Sequence, residues 1–591
     1  MSRSISERSR RGARRRSARA AAASPAAGQV QAAAASVAVQ DEPETLSEAI
    51  WERMRALRRI AAGVGVLEIL AMALAVRALY VLPGGFALND GGLFYVFARD
   101  IQHAGYALPS FSSYNDGTIP FAYPPLAFYL AAALDDLTPL SLADVIWLLP
   151  LVESVAVVGA FYLLAKSLLR DRWTLVMAGL AFALVPRSFI WLIMGGGLTR
   201  ALALTLSLVA IHQARAAVHA ERPSWPAARA AVLLGLSVLT TLETASWAAV
   251  SLPLFMLFPF SDRRDLLRRV GILVTIGLGA LAVTMPWAAL VIARHGLDPF
   301  LAAREFGGTA IGQADLGVMW SDLINPLHTG EPFFPLIAAL GLLGTIYALV
   351  RGDWLLPVWW ILTVGMGTRA FPTLAAIPTA MLAAIAARDV IAPALLRASS
   401  GAGGVSRPQK LAVAAVGFFA FAFLVGASLD DTRGDQRYLR PLSGDEMQAM
   451  EWIADNTPAD ANFLVISRNG WYADRDGEWF PALAQRNNVA TVQGYEWVRG
   501  EFERRLDLQT RAQMCLPGPG NCLGEILNEA AFDYVYVPEH CCDTMRQLLE
   551  NEWRYVVIYD NGATVLQRVN GPVRPGGTNA YSSLPDESEM H

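Results

Sequence analysis

Charge is scarce in this chain: of 591 residues 17% are charged, against about 25% in an ordinary soluble protein, while 54% are hydrophobic. That deficit argues against a soluble globular fold, and the apolar content excludes a disordered or collagen-like chain. Cysteine is nearly absent, with four residues (Cys515, Cys522, Cys541 and Cys542), all late in the chain, so a disulfide scaffold is excluded too. The seven histidines are scattered without metal-ligand spacing. The formal net charge of -4 is small and the two signs are segregated, so nucleic acid is not an expected partner. No internal repeat of useful length stands out.

What is present is a series of long apolar runs, 25 Phe and 16 Trp. Arg3, Arg8, Arg10, Arg11, Arg14, Arg15, Arg16 and Arg19 precede an alanine-rich stretch that lacks the apolar core of a secretory signal. Residues 1–59 therefore read as a disordered basic tail. A second basic cluster, Arg53 to Arg59, abuts the first apolar run, which places the N-terminus in the cytoplasm by the positive-inside rule. With a span of roughly 20 residues, later spans fall near 143–165, 173–194, 198–213, 229–242, 245–260, 270–292, 333–350, 354–367, 371–387 and 411–427, about eleven in all. The basic loops, from Lys166 and Arg170 through Arg263, Arg264, Arg351 and Arg407, fall on one side, the cytoplasmic one.

An odd count puts everything after about Ser428 outside the cytoplasm. The expectation is a polytopic α-helical protein of the cytoplasmic (inner) membrane with a transmembrane domain over 60–428. An extracytoplasmic α/β domain follows over 429–570, and a flexible tail over 571–591. In the α/β domain, 446–456 has helical periodicity, while 463–466, 534–537, 555–559 and 564–567 read as strands. The cysteines lie on the oxidising side, as disulfides require. Four cysteines allow three pairings; because Cys541 and Cys542 are adjacent, each is expected to bond one of Cys515 and Cys522, with four free thiols as the alternative.

The first outer loop, 83–142, is long and carries two helical stretches too short to cross, Gly91 to Gly105 and Pro124 to Leu134, both expected to lie at the interface. It holds Phe86-Ala87-Leu88-Asn89-Asp90-Gly91-Gly92, an acidic residue before two glycines that admit close backbone approach, then Asn115-Asp116-Gly117 and Tyr123-Pro124-Pro125-Leu126. A first span with Arg77 near its end, an Asp opening the loop, an interfacial helix and a Tyr-Pro-Pro-Leu opening a second resembles the GT-C superfamily of polyprenyl-phosphate-sugar glycosyltransferases. The similarity is closest to its protein O-mannosyltransferase and aminoarabinose transferase branch. It covers the first two hundred residues by motif and the rest by topology, and Glu478-Trp479-Phe480-Pro481 looks like the tail of bacterial relatives. Where that branch has Asp-Glu and His-Pro-Pro, this chain has Asp90-Gly91 and Tyr123-Pro124-Pro125.

The resemblance implies an inverting transfer of one sugar from a polyprenyl-phosphate donor to an extracytoplasmic protein, lipid or glycan. A phosphate leaves as a stable anion, so no general acid is needed and one carboxylate suffices to take the acceptor's proton. Asp90 is the candidate, with Asp116 as a second catalytic candidate whose Asn-Asp-Gly context also reads as a turn. Positive charge must hold the phosphate, and Arg200, after Gly195-Gly196-Gly197-Leu198-Thr199, and Arg369, in Met366-Gly367-Thr368-Arg369, are placed for it. Tyr123 and Glu305 are candidate substrate contacts. Arg77, Glu153, Arg187 and Glu243, within spans, either line a cavity or form structural ion pairs. No cofactor is expected; the single pointer to divalent metal is Asp474-Arg475-Asp476, which also reads as a turn. The competing function is a transporter or lipid-linked-sugar flippase, which needs paired inverted halves and midplane charges. A membrane-anchored binding protein would need one span only.

Overall fold

The computed structural model describes residues 65–306, 329–332, 334–366, 370–398, 407–430, 439–515, 522–539, 541–552 and 554–569. The expected N-terminal and C-terminal tails, and Arg369, lie outside the described residues.

The first part of the chain is helical: α1 (Val66–Val81), α2 (Gly92–His103), α3 (Leu126–Leu137), α4 (Leu142–Leu168), α5 (Arg172–Leu184), α6 (Gly197–His219), α7 (Ser224–Val238), α8 (Leu242–Leu257), α9 (Arg263–His295), α10 (Asp298–Phe306), α11 (Leu336–Val350), α12 (Leu355–Gly365), α13 (Phe371–Ala386) and α14 (Arg407–Leu429). Five stretches are long and apolar enough to cross a membrane: Val66–Gly84, Leu142–Leu168, Gly197–His219, Arg263–His295 and Phe371–Leu395. Shorter apolar helices are Ser224–Val238, Leu242–Leu257, Leu336–Val350, Leu355–Gly365 and Ala414–Leu429. The chain is thus a multi-pass membrane protein in which length and composition alone qualify five crossings.

In lipid, apolar side chains gain nothing by leaving their surroundings, so helices associate by close approach and buried polar contacts. That rule is visible at each tight pair. A Cβ on Gly344 would run into the Leu382 carbonyl, so α11 and α13 meet backbone to backbone; between α7 and α9, Gly235 makes room for the Val283 side chain and Gly279 for the Ala231 methyl. Ser207 and Ser237 hydrogen-bond at 2.8 Å between α6 and α7. The indoles of Trp247 and Trp359 stack at 5.6 Å, and their N–H groups donate to the Thr363 and Ser251 hydroxyls. The opposite face of α9, with Val274, Leu278, Leu281 and Met285, is exposed as a lipid-facing surface would be.

The run expected as one span over 173–194 is broken. α5 stops at Leu184, and the turns over Pro186–Leu192 leave it at 82°. Pro186 has no N–H to continue the ladder, and Val185 before it is extended, as residues preceding proline are. The break also aims the chain at the Gly195-Gly196-Gly197 turn that opens α6.

The C-terminal region is α/β: α15 (Gly444–Asn456), β1 (Asn462–Val465), α16 (Arg475–Leu483), β2 (Asn487–Asn488), α17 (Glu501–Met514), α18 (Cys522–Glu529), β3 (Tyr534–Val537), α19 (Asp543–Glu550), β4 (Tyr555–Asp560) and β5 (Thr564–Arg568). The sheet order is β2-β1-β3-β5-β4, with β1 parallel to both β2 and β3 and the other pairs antiparallel. Alternation along the strands gives the sheet two apolar faces. Leu464, Val535, Val537 and Leu566 pack with Leu508, Ile526, Met545 and Leu549 of the covering helices. Phe463, Val465, Tyr534 and Tyr536 face the other way, and there the core runs on without interruption into Trp479 and Phe480 of α16 and Phe97, Ala98, Phe128 and Ala132 of α2 and α3. The two short loop helices are therefore roofed by the C-terminal region.

Both disulfides differ from the expected pairing. Cys515, at the end of α17, bonds Cys522, the first residue of α18, across a Cα separation of 5.8 Å, and Cys541 bonds its neighbour Cys542. The packing of α17 against α18 brings Cys515 and Cys522 within disulfide reach, while Cys541 and Cys542 are neighbours in the chain.

Candidate active site

Three separate segments meet at Asp90. The first is the loop after α1. Asn89 sits in the left-handed region at φ 55° and is held from outside: its amide donates to the Arg440 carbonyl, and its side chain donates to the Tyr472 carbonyl at 3.0 Å. Gly91 follows at φ 124°, a conformation that side chains rarely adopt.

The second segment is the turn into α6. Gly195 lies so close that a Cβ there would overlap the Asp90 carbonyl, and one on Gly196 would come within 2.6 Å of Asp90 Oδ2. The closeness has a chemical result. The Gly196 amide donates to Asp90 Oδ1 at 2.7 Å, and Arg200 Nη2, one turn into α6, donates to Oδ2 at 2.6 Å. The carboxylate thus meets the positive end of a helix and a guanidinium together. Arg200 is itself stacked over Trp191 at 4.5 Å and donates to the Trp191 carbonyl. The pair is reachable, with side-chain exposures of 15% for Asp90 and 21% for Arg200.

The third segment comes from α16. The Gly91 amide donates to Glu478 Oε1 at 2.8 Å, and a Cβ on Gly92 would meet the Glu478 carbonyl and the Trp479 backbone. Tyr114 donates its hydroxyl to the Glu478 carbonyl at 2.7 Å. Burial first, then the adjacent Asp90 charge, push the Glu478 carboxyl up to about 8. This residue was seen in the sequence only as part of a tail motif; it is 387 positions from the glycine it holds, and no local pattern marks it.

The other expected residues divide. Tyr123 comes to the site: its hydroxyl is 3.4 Å from Thr199 Oγ1, beside Arg200, and its ring packs on Phe94 and Trp497. Asp116 is engaged elsewhere, with Thr118 and with Arg505 of α17 at 2.8 Å, and neither bonds Asp90. Burial would raise its carboxyl, but hydrogen bonds from Thr118 and Tyr495 and the Arg505 charge hold it below its ordinary value. Glu305 is on α10, not in a loop, 62% exposed and 3.9 Å from Arg499. Arg369 is outside the described residues, but the amide of the next described residue, Ala370, donates to Glu243. Among the described residues Arg77, Glu153 and Arg187 form no ion pair with one another: Arg77 donates to the Ala73 and Ala183 carbonyls and lies over Phe189.

Asp474 is not a turn residue. It caps α16, accepting from the Gly477 amide at 3.0 Å, and it also takes the hydroxyl of Ser467. No group of three or more His, Cys, Asp or Glu side chains placed to hold a metal occurs among the described residues. Around Asp90 the polar groups are two carboxyl groups bonded to backbone amides and one guanidinium.

No protein-family model matches the chain, and no curated protein matches it by sequence. Solved structures do. The archaeal oligosaccharyltransferase AglB from Archaeoglobus fulgidus, in complex with an inhibitory peptide and a dolichol-phosphate, aligns with 86% of this chain and 74% of its own at 15% identity and a TM-score of 0.51. The same organism's oligosaccharyltransferase in complex with Zn and sulfate aligns with 82% of this chain and 71% of its own, at 15% identity and TM-score 0.52. ArnT from Cupriavidus metallidurans bound to undecaprenyl phosphate covers 86% of this chain and 99% of its own, at 15% identity and TM-score 0.47. These structural neighbours are GT-C glycosyltransferases, and the fold of this chain is similar to that of the two oligosaccharyltransferases.

Proposed function

We propose that the chain is an integral membrane glycosyltransferase that moves one sugar from a polyprenyl-phosphate-linked donor to an extracytoplasmic acceptor with inversion. The observation that carries this reading is the reachable Asp90–Arg200 pair at the start of α6, in a fold similar to that of glycosyltransferases. In this reading the five long apolar stretches, the five shorter ones and the bent pair all cross, giving about eleven spans over 60–428. The α/β domain of 429–570 then lies outside the cytoplasm, and the N-terminus inside.

The chemistry follows from the pair. An acceptor hydroxyl attacks the anomeric carbon opposite the C–O bond to phosphate; that bond breaks, its electrons leave on the polyprenyl phosphate, and the hydroxyl proton goes to Asp90. Arg200 is the group to receive the phosphate, with Arg369 as a second cation. In the structure Arg200 spends its charge on Asp90. Arrival of the donor phosphate draws the guanidinium off the carboxylate, so Asp90 is freed as a base only when a donor is bound. Tyr123 supplies a ring beside Arg200 against which the sugar is set, and Glu305 is left as a contact for the acceptor.

The test is sugar transfer from a set of polyprenyl-phosphate sugars by the purified protein in nanodiscs, with Asp90→Asn, Arg200→Ala and added EDTA. One donor turning over, with Asp90→Asn inactive but still binding donor, Arg200→Ala weakened in donor affinity, and EDTA without effect, supports the reading. Full activity in Asp90→Asn overturns it.

A further inference from the structure

The Asp90–Arg200 pair, with one negative and one positive charge, presents no net charge to an incoming anion. A second carboxylate beside it changes that sum. Glu478 is placed to make the change: its Oε1 holds the Gly91 amide, the peptide group immediately after Asp90, at 2.8 Å. Its position is fixed from several directions. Tyr114 from the first loop binds its carbonyl, and the neighbouring Gly477 carbonyl accepts the Thr491 hydroxyl. Gly92 leaves no room between α2 and the Glu478–Trp479 backbone. No hydrogen bond to its other oxygen, Oε2, occurs among the described residues.

We propose that Glu478, carried on the C-terminal region, is a positioning residue of the site: it fixes the Asp90 loop through the Gly91 amide, and as a second carboxyl beside the Asp90–Arg200 pair it sets the charge that the anionic phosphate of a lipid-linked donor meets. This inference rests on the reading of Asp90 and Arg200 as a lipid-phosphate site.

The electrostatics agree with the geometry. The charged groups facing Glu478 are Asp90, Arg200 and Glu496, two of them negative. On its own helix Asp474 is bound by Ser467 and Gly477, and Arg475 is paired with Glu446 from α15; on α2, Asp100 is taken by Ser112 and Ser113. Burial and Asp90 push the Glu478 carboxyl well above its ordinary value, which favours its neutral form. With Glu478 neutral, Asp90 and Arg200 cancel and Glu496 leaves one negative charge nearby. Ionisation of Glu478 adds a further negative charge, which repels phosphate. A residue that only braced the loop would give no such dependence.

The experiment uses the full chain in nanodiscs and measures undecaprenyl phosphate binding between about pH 7 and 9.5, where a phosphate monoester has already lost its second proton. Glu478→Gln keeps an oxygen for the Gly91 amide but cannot ionise; Glu478→Ala removes both. The expected result is a wild-type affinity that falls roughly tenfold over this range, a Glu478→Gln affinity that changes less than about twofold, and weaker binding by Glu478→Ala already at pH 7. Thermal unfolding confirms that each variant is folded. A Glu478→Gln protein with the wild-type slope, or a wild type with no slope, overturns the proposal. Sugar turnover measured alongside separates the two readings. Lipid phosphate binding with the expected slope, but no transfer from any donor, overturns the transferase reading and leaves Glu478 supported. Turnover that is lost in Asp90→Asn, with an unchanged slope in Glu478→Gln, overturns Glu478 alone. No turnover and no lipid phosphate binding overturns both.

Discussion

The apolar helical bundle and the body made by the first loop with the C-terminal region solve the same packing problem by opposite means. In the bundle the closest contacts are made by small residues and short polar bridges, Gly344 on Leu382, Gly235 on Val283 and Ser207 on Ser237, beside a few aromatic stacks such as Trp247 on Trp359. In the other body they are aromatic rings, Phe97 on Phe121 and Phe128 and Phe463 on Phe480 and Tyr534, and a charged side chain, Arg505, that reaches Asp116 389 positions away. The difference is one of solvent. Where lipid removes the hydrophobic drive, close approach of backbones does the work. Where water supplies it, burying rings is enough, and polar networks set the geometry. The candidate site lies where the two regimes touch. It borrows backbone contact at glycine from the first and a buried charged network from the second.

Substitutions on either side of that junction sharpen the contrast. The largest effect is expected from Gly195→Ala. Its new methyl meets the Asp90 carbonyl with no room to move, so sugar transfer is expected to fall by at least about a thousandfold while circular dichroism reports an intact helical bundle; an active, well-folded variant would break the idea that the site needs bare backbone. Asp90→Asn comes next, with a loss of roughly 10²–10⁴ in kcat and little change in donor KM if the carboxylate acts as a base. Within the bundle, Gly344→Ala is expected to cost about 1–3 kcal/mol by forcing α11 from α13, read as a lowered melting temperature. If it is silent, close approach is not what holds that pair.

Two pH effects of opposite sign follow from the other body. The Asp116 carboxyl is lowered in the folded chain, so the native state binds fewer protons than the unfolded one near and below its ordinary value of 3.8. Its contribution is present above that value and is lost as pH falls further; Asp116→Asn is expected to flatten the acid limb of the melting curve and lower stability at neutral pH. Glu478 is raised, so between about 4.5 and about 8 the native state holds a proton that the unfolded state releases, and stability declines as pH rises. Glu478→Gln is expected to make that decline shallower, read as a weaker dependence of the melting temperature on pH across this window.

Much of this was legible in sequence. Apolar runs of span length located the helices, and the charge-poor turn before α6 together with the loop after α1 picked out Arg200 and Asp90, because glycines beside ionisable groups mark close backbone approach. The break after Leu184 was visible as Pro186, yet counting apolar residues ran straight through it. α17 and α18 carry Cys515 and Cys522 at their facing ends, but which cysteines meet depends on how those helices pack, and adjacency of Cys541 to Cys542 pointed the wrong way. Asp474 read as a turn because its role is set by Gly477, Ser467 and Gln509, only the first of which is near in sequence.

What the sequence determined by itself is the medium and the local elements. Hydrophobicity and period are properties of consecutive residues, so a membrane-spanning first part, two short loop helices, most of the strands of the α/β region, and an acidic residue next to paired glycines could all be read in order along the chain. Only the tertiary structure decided that α16 comes down on the Asp90 loop, that Asp116 is tied to Arg505, and that a carboxylate from α16 shares the site with Asp90 and Arg200. Those facts depend on distances between residues 110 to 389 positions apart. Charge interactions act through space and are invisible to any pattern that runs along the chain.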